Sequence, residues 1–186
     1  SGRLAVKDVR VIEVKKSVFE SNDERAALLR KDLKDKGVFL LNLMSSPGAG
    51  KTTTLTRTIE QLKDDLRIGV MEADIDSDVD AITIAETGAK AIQLHTGGMC
   101  HLDADMSRQG MAALEAEADN TLDFIILENV GNLVCPAEFD TGACLNVAIL
   151  SVPEGDDKPL KYPLMLEKCQ VVIINKIDSM PAFDFD

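Results

Sequence analysis

The run SSPGAGKTTTL, Ser45 to Leu55, follows the apolar stretch GVFLLNLM and carries the residue types that hold a phosphate. A strict phosphate loop reads Gly, four residues, Gly-Lys-Ser/Thr; this chain has Ser45 in the first position and fits from there on. Gly48 and Gly50 make the tight turn, Lys51 reaches the β and γ phosphates, and the Thr52 hydroxyl is offered to magnesium. Ala49 and Thr53 complete the nucleotide-binding set. Backbone N–H groups at the start of the following helix favour an anion, so the expected ligand is a nucleoside diphosphate or triphosphate.

The base is read from NKID, Asn175 to Asp178, at the end of the run VVII. An aspartate carboxylate there accepts from N1 and from the exocyclic amine of guanine, a donor pair that adenine does not present. Asn175, Lys176 and Asp178 therefore point to GTP and GDP. MEADIDSDVD supplies Asp74, Asp76, Asp78 and Asp80. Asp74, directly after a strand, is the candidate to hold magnesium, directly or through water. The other acids are either switch residues, with Asp80 the candidate, or a solvated helix start. In ILENVG, Glu128 and Gly131 are placed near the γ phosphate; Glu128 can equally cap or brace the sheet edge. The catalytic candidates are Lys51, Thr52, Asp74 and Glu128.

A second chemistry comes from Cys100 and His101, adjacent after TGGM, and from Cys135 beside Pro136. Thiolate and imidazole suit zinc, nickel or copper rather than magnesium. Adjacent residues of an extended chain point apart, so a chelate using both needs a turn, which Gly97 and Gly98 can make, or one part of the pair from each of two subunits. The alternative is that these are core thiols. Asp103 and Glu138 can add charge or orient the ligands, His95 is expected at a wall or the surface, and Cys144 and Cys169 are expected to be packing thiols.

These residues need elements to place them. The spacing of Ala26, Leu29 and Leu33 predicts a helix over 22–36, capped by Asn22 or Asp23 and stopped by Gly37. Helices follow at about 51–63, 78–87 and 104–118. Strands are expected at 38–44, 68–73, 91–94, 122–127, and in NVAILSV and CQVVIIN; VRVIEV reads as an edge strand or a loosely attached arm. Nearly continuous apolar strands separated by helices predict a three-layer α/β sandwich around a mainly parallel sheet, with ligands beyond the carboxyl ends of the strands. The expected division is an arm or edge strand over 1–21 and a nucleotide-binding domain over 22–186.

The composition agrees. At 186 residues, with 45% hydrophobic and 28% charged side chains, the chain can form one domain and bury roughly 70% of its unfolded surface. A net charge of −12 argues against a nucleic-acid partner, whose affinity comes from basic groups displacing counterions. No apolar run approaches the roughly 18 residues of a membrane span and no signal-like core opens the chain, so no membrane partner and a cytoplasmic location are expected.

In order, SSPGAGKTT, TGxxCHLDA, ENVGNLVCP, EGDDKPLKYP and NKID resemble the hydrogenase nickel-incorporation GTPases, the HypB family of the signal-recognition-like P-loop class, over about residues 20–186. The resemblance implies a P-loop fold and slow GTP hydrolysis, with Lys51 and Thr52 in the nucleotide and magnesium loop, Asp74 as the metal-linked switch acid, and Asn175 with Asp178 reading guanine. It also implies a nickel or zinc site at Cys100, His101 and Cys135 between two protomers of a GTP-dependent homodimer. The implied partners are a nickel-maturation protein and the [NiFe]-hydrogenase large subunit. The family continues past NKID through a further helix and a late guanine loop, so a C-terminally truncated domain is expected. The rival readings are a nickel GTPase serving urease, a nucleotide-dependent assembly switch whose cysteines only pack, and a small-molecule kinase.

Overall fold

The computed structural model describes residues 9–16, 21–73 and 78–183. Asp74 and Asp76 lie outside them, so their expected roles stay with the sequence. The strands are β1 (Arg10–Glu13), β2 (Phe39–Ser45), β3 (Ile68–Glu72), β4 (Lys90–His95), β5 (Phe124–Glu128), β6 (Leu145–Ser151) and β7 (Val171–Asn175). The helices are α1 (Asn22–Lys36), α2 (Lys51–Leu62), α3 (Asp78–Glu86), α4 (Ala104–Glu117) and the short α5 (Cys135–Glu138), α6 (Lys158–Lys161) and α7 (Pro163–Lys168). All strands pair in parallel, in the order β1-β4-β3-β5-β2-β6-β7. The expected three-layer sandwich is the observed one.

The alternation of side chains along each strand explains why both faces need helices. On β5, Ile125 and Leu127 join one core with Leu29 and Leu33 of α1 and Met106, Met111 and Leu114 of α4. Ile126, between them, joins the opposite core with Leu55 and Ile59 of α2 and Ile84 of α3. A smaller third cluster, with Leu133, Leu150 and Met165, lies under α7.

Three local expectations change. Neither Asn22 nor Asp23 caps α1: Ser21 is the N-cap, and the Asn22 amide instead donates to Asp140 C=O (2.9 Å) and accepts from the orphan N–H of Ala104 (2.9 Å). Leu122 lies before β5 rather than in it, and packs inward. β7 is not buried like the inner strands: at one edge of the sheet it leaves Val171, Val172 and Ile174 40–46% exposed.

Gly69 on β3 lies under α4. A Cβ there would lie 2.7 Å from Leu122 Cδ1 and 2.8 Å from Leu114 Cδ2, both in buried side chains. Gly69→Ala is therefore expected to cost about 1–3 kcal/mol through overpacking. A urea unfolding midpoint equal to that of the parent, at equal slope, would show that the layers are looser than this geometry.

Candidate functional site

β2 runs straight into the phosphate loop. Ser45 is its last residue and is not among those with positive φ, so the position that a strict motif gives to glycine needs none here. The turn is made at Gly48 (φ 81°) and Gly50 (φ 84°), and Gly50 caps α2. Ala49 is fully buried, Thr52 is half-buried and Thr53 exposed. The Ser45 and Ser46 hydroxyls of the loop are buried, without a hydrogen-bond partner among the described residues.

The first helical residue, Lys51, turns inward. Its Nζ lies 2.8 Å from Glu128 Oε1, with the two side chains only 8% and 0% exposed. Glu128 thus pairs with the phosphate-loop lysine, a contact that neither of its two expected roles named. Beside it in register on β3 stands Glu72, also fully buried. Glu72 was missed from sequence, although IGVME and FIILE share a signal: an apolar strand ending in a glutamate.

NKID approaches the same loop from β7. Asn175 Nδ2 donates to Ala49 C=O (2.9 Å) and Thr54 Oγ1 (3.0 Å). Lys176, with φ 60°, donates from Nζ to Gly48 C=O at 2.6 Å. These two residues brace the phosphate loop, while Asp178, in the 3-10 turn after β7, is exposed. Gly131 lies half-buried in the loop that follows Glu128.

That loop leads to the soft ligands. The turn expected before Cys100 is present, closed by the Met99 N–H donating to Thr96 C=O at 3.3 Å. Cys100 is exposed and its Sγ lies 3.9 Å from His101 Nδ1. His101 is only 5% exposed, stacked on Phe139 with ring centroids 3.6 Å apart, and Lys16 Nζ sits over the same Phe139 ring at 5.5 Å. Burial first, and then the Lys16 charge, push its pKa below the ordinary value against the opposing charges of Asp103 and Glu138, which favours the neutral imidazole. Cys135 opens α5, and its thiol is pushed up chiefly by a hydrogen bond with the Cys100 thiol, then by burial.

The three candidates thus share one patch, but among the described residues no group of three His, Cys, Asp or Glu side chains forms a ready metal cage. Asp103 is buried and caps α4, accepting from the Met106 N–H at 2.8 Å. His95 is exposed at the end of β4. Cys169 packs 3.9 Å from Met165 Sδ, as expected, and burial pushes its pKa up to about 11. Cys144 corrects its expectation: it precedes β6 at the surface and is exposed. Asn132, bonded to both cysteine loops, was missed; its signal was the spacing of an asparagine three residues before Cys135.

The nucleotide-binding domain of the CobW/HypB/UreG family matches residues 39–185. The chain is 50% identical over 177 residues to the hydrogenase maturation factor HypB of Rhizobium leguminosarum bv. viciae, covering 95% of this chain and 58% of that one. It spans about three fifths of the length of the curated relatives first matched. The crystal structure of HypB from Helicobacter pylori in complex with nickel superposes with a TM-score of 0.82 at 43% identity, covering 90% of this chain and 77% of that one. HypB from Archaeoglobus fulgidus gives 0.78 at 35% identity, covering 89% and 79%. With the phosphate loop, the NKID brace and the cysteine loops all in place on this fold, the chain belongs to the HypB family of P-loop GTPases.

Proposed function

We propose that this chain is the GTP-hydrolysing domain of a nickel metallochaperone that assists nickel insertion into [NiFe]-hydrogenase. The observation that carries the reading is the continuity of one loop. Glu128, which pairs with Lys51, and Cys135, in the patch shared with Cys100 and His101, stand at its two ends. A change at the phosphates therefore reaches the thiols through the six residues between them.

The reaction is GTP plus water to GDP and phosphate. The loop N–H groups and Lys51 stabilise charge on the transferred phosphoryl group, and the partnerless Ser45 and Ser46 hydroxyls fit a loop built around anionic oxygens. Thr52 and Asp74 would hold magnesium, which would supply positive charge against that developing on the phosphates. Lys51 has to exchange part of its contact with Glu128 for phosphate, which frees the Glu128 carboxylate within the site. With no arginine finger or catalytic glutamine assigned, turnover of the isolated chain is slow.

Nickel is the cargo, taken up in the GTP-bound homodimer by Cys100, His101 and Cys135 and passed on after hydrolysis to a maturation partner and the hydrogenase large subunit. A zinc ion fits the same donors. Half-assembled ligands in one chain are what a site completed by a second copy requires. The Helicobacter pylori relative, 43% identical over 185 residues, is named a hydrogenase/urease maturation factor, which favours delivery to urease as the second reading.

Anaerobic titration with nickel and zinc, with stoichiometry and solution mass read in GDP and in a slowly hydrolysed GTP analogue, tests this. Uptake is expected to strengthen in the GTP-analogue dimer and to vanish in Cys100→Ala and Cys135→Ala. Uptake indifferent to nucleotide would break the coupling, and uptake untouched by the cysteine variants would make them packing thiols. Base choice has its own check. Asp178→Asn replaces one acceptor by a donor, so GTP affinity is expected to fall roughly 10- to 100-fold, in line with about 1.5–3 kcal/mol per charge-assisted bond. Xanthosine triphosphate, with a carbonyl at C2, should then bind better than GTP; unchanged GTP affinity removes Asp178 from the base site.

A further inference from the structure

One side chain joins the two loops that carry the thiols. Asn132 Oδ1 accepts from the backbone N–H groups of Val134 and Cys135, each at 3.0 Å. Its Nδ2 donates to Cys100 C=O, also at 3.0 Å, across 32 residues of sequence. Two N–H donors facing one amide oxygen fix which way the amide points, so its NH2 group must face the Cys100 loop. The Oδ1 bonds set the chain direction at the start of α5, where Cys135 stands. The Nδ2 bond brings the other cysteine to it.

Asn132 is itself anchored. Its N–H donates to Val130 C=O (2.8 Å), the Val130 N–H donates to Asn129 Oδ1 (2.8 Å), and Asn129 Nδ2 donates to Asn42 Oδ1 (3.0 Å). Asn42 belongs to β2, the strand that becomes the phosphate loop.

We propose that Asn132 is the positioning residue of the thiol site, clamping the Cys100 loop to the Cys135 loop so that both sulfurs meet a soft divalent cation as a pair. The inference rests on the reading of Cys100 and Cys135 as cation ligands. Asn132 touches no metal; it acts through the backbone on either side. Substitution separates its two halves. Asn132→Asp keeps an acceptor for the Val134 and Cys135 N–H groups but sets a carboxylate oxygen against Cys100 C=O, whereas Asn132→Ala removes both contacts.

The test is anaerobic titration of the whole chain, held in the slowly hydrolysed GTP analogue, with nickel chloride, following sulfur-to-nickel charge-transfer absorption. GDP affinity and thermal midpoint are measured on the same preparations. Loss of such an orienting contact is expected to weaken nickel binding roughly 10- to 100-fold in Asn132→Asp, and at least as much in Asn132→Ala. The charge-transfer band should shift, while GDP affinity and midpoint stay at parent values. Affinity and band within two-fold of the parent in Asn132→Asp, with nickel lost in Cys100→Ala and Cys135→Ala, would overturn the clamp and leave the cysteine reading intact. A parent chain that binds no nickel overturns both. Variants whose midpoint falls in step with nickel binding would show that Asn132 holds the fold, and that too overturns the proposal.

Discussion

A lysine ammonium that is almost wholly buried has to have a counter-charge, because removing one member of a buried pair typically costs about 3–5 kcal/mol. Lys51 finds it in Glu128, at the carboxyl end of the neighbouring strand β5. This pair sets the geometry around it. It holds the first turn of α2 against the sheet and fixes the end of β5. The loop after Glu128 therefore departs from a defined point. Phosphate competes for the same lysine, so the contact that stabilises the loop is also the one a nucleotide must loosen.

Around that pair, polar side chains join parts of the chain that lie far apart in sequence. Asn175 and Lys176 tie β7 to the phosphate loop, and Asn22 ties α1 to the N-terminus of α4. Charged and amide groups here spend their hydrogen bonds on backbone carbonyls and N–H groups that a loop would otherwise leave unpaired. The result is a rim of short, braced loops on one edge of a sheet whose interior is mostly apolar.

The fold was legible because its signals are local and periodic. The 22–36 and 104–117 helices follow from apolar spacing and flanking residues, and the strands from short apolar runs between turns. The phosphate loop was legible because its residues are contiguous. What escaped was decided by tertiary partners. Nothing in NKID says that its asparagine and lysine face the phosphate loop rather than the base, since that depends on β6 lying between β2 and β7. Asn22 looked like a cap, and its side chain was taken by a neighbouring helix. Cys144 looked like a core thiol, and its place just before β6 leaves it at the surface. Glu72 and Asn132 carry roles that appear only once β3 lies against β5 and the two cysteine loops meet.

The order of strands also has a history in time. β2 is an early segment, yet its two partners are β5 and β6, which come much later in the chain. Parallel pairings across such separations are slow to form, because loop-closure entropy is paid before the contacts return it. During synthesis the apolar β2 therefore waits without a partner until Glu128 of β5, and with only one until Ser151 of β6, has left the ribosome. Until then the phosphate loop has a sequence but no cradle, so nucleotide joins a late, nearly complete fold rather than seeding an early one.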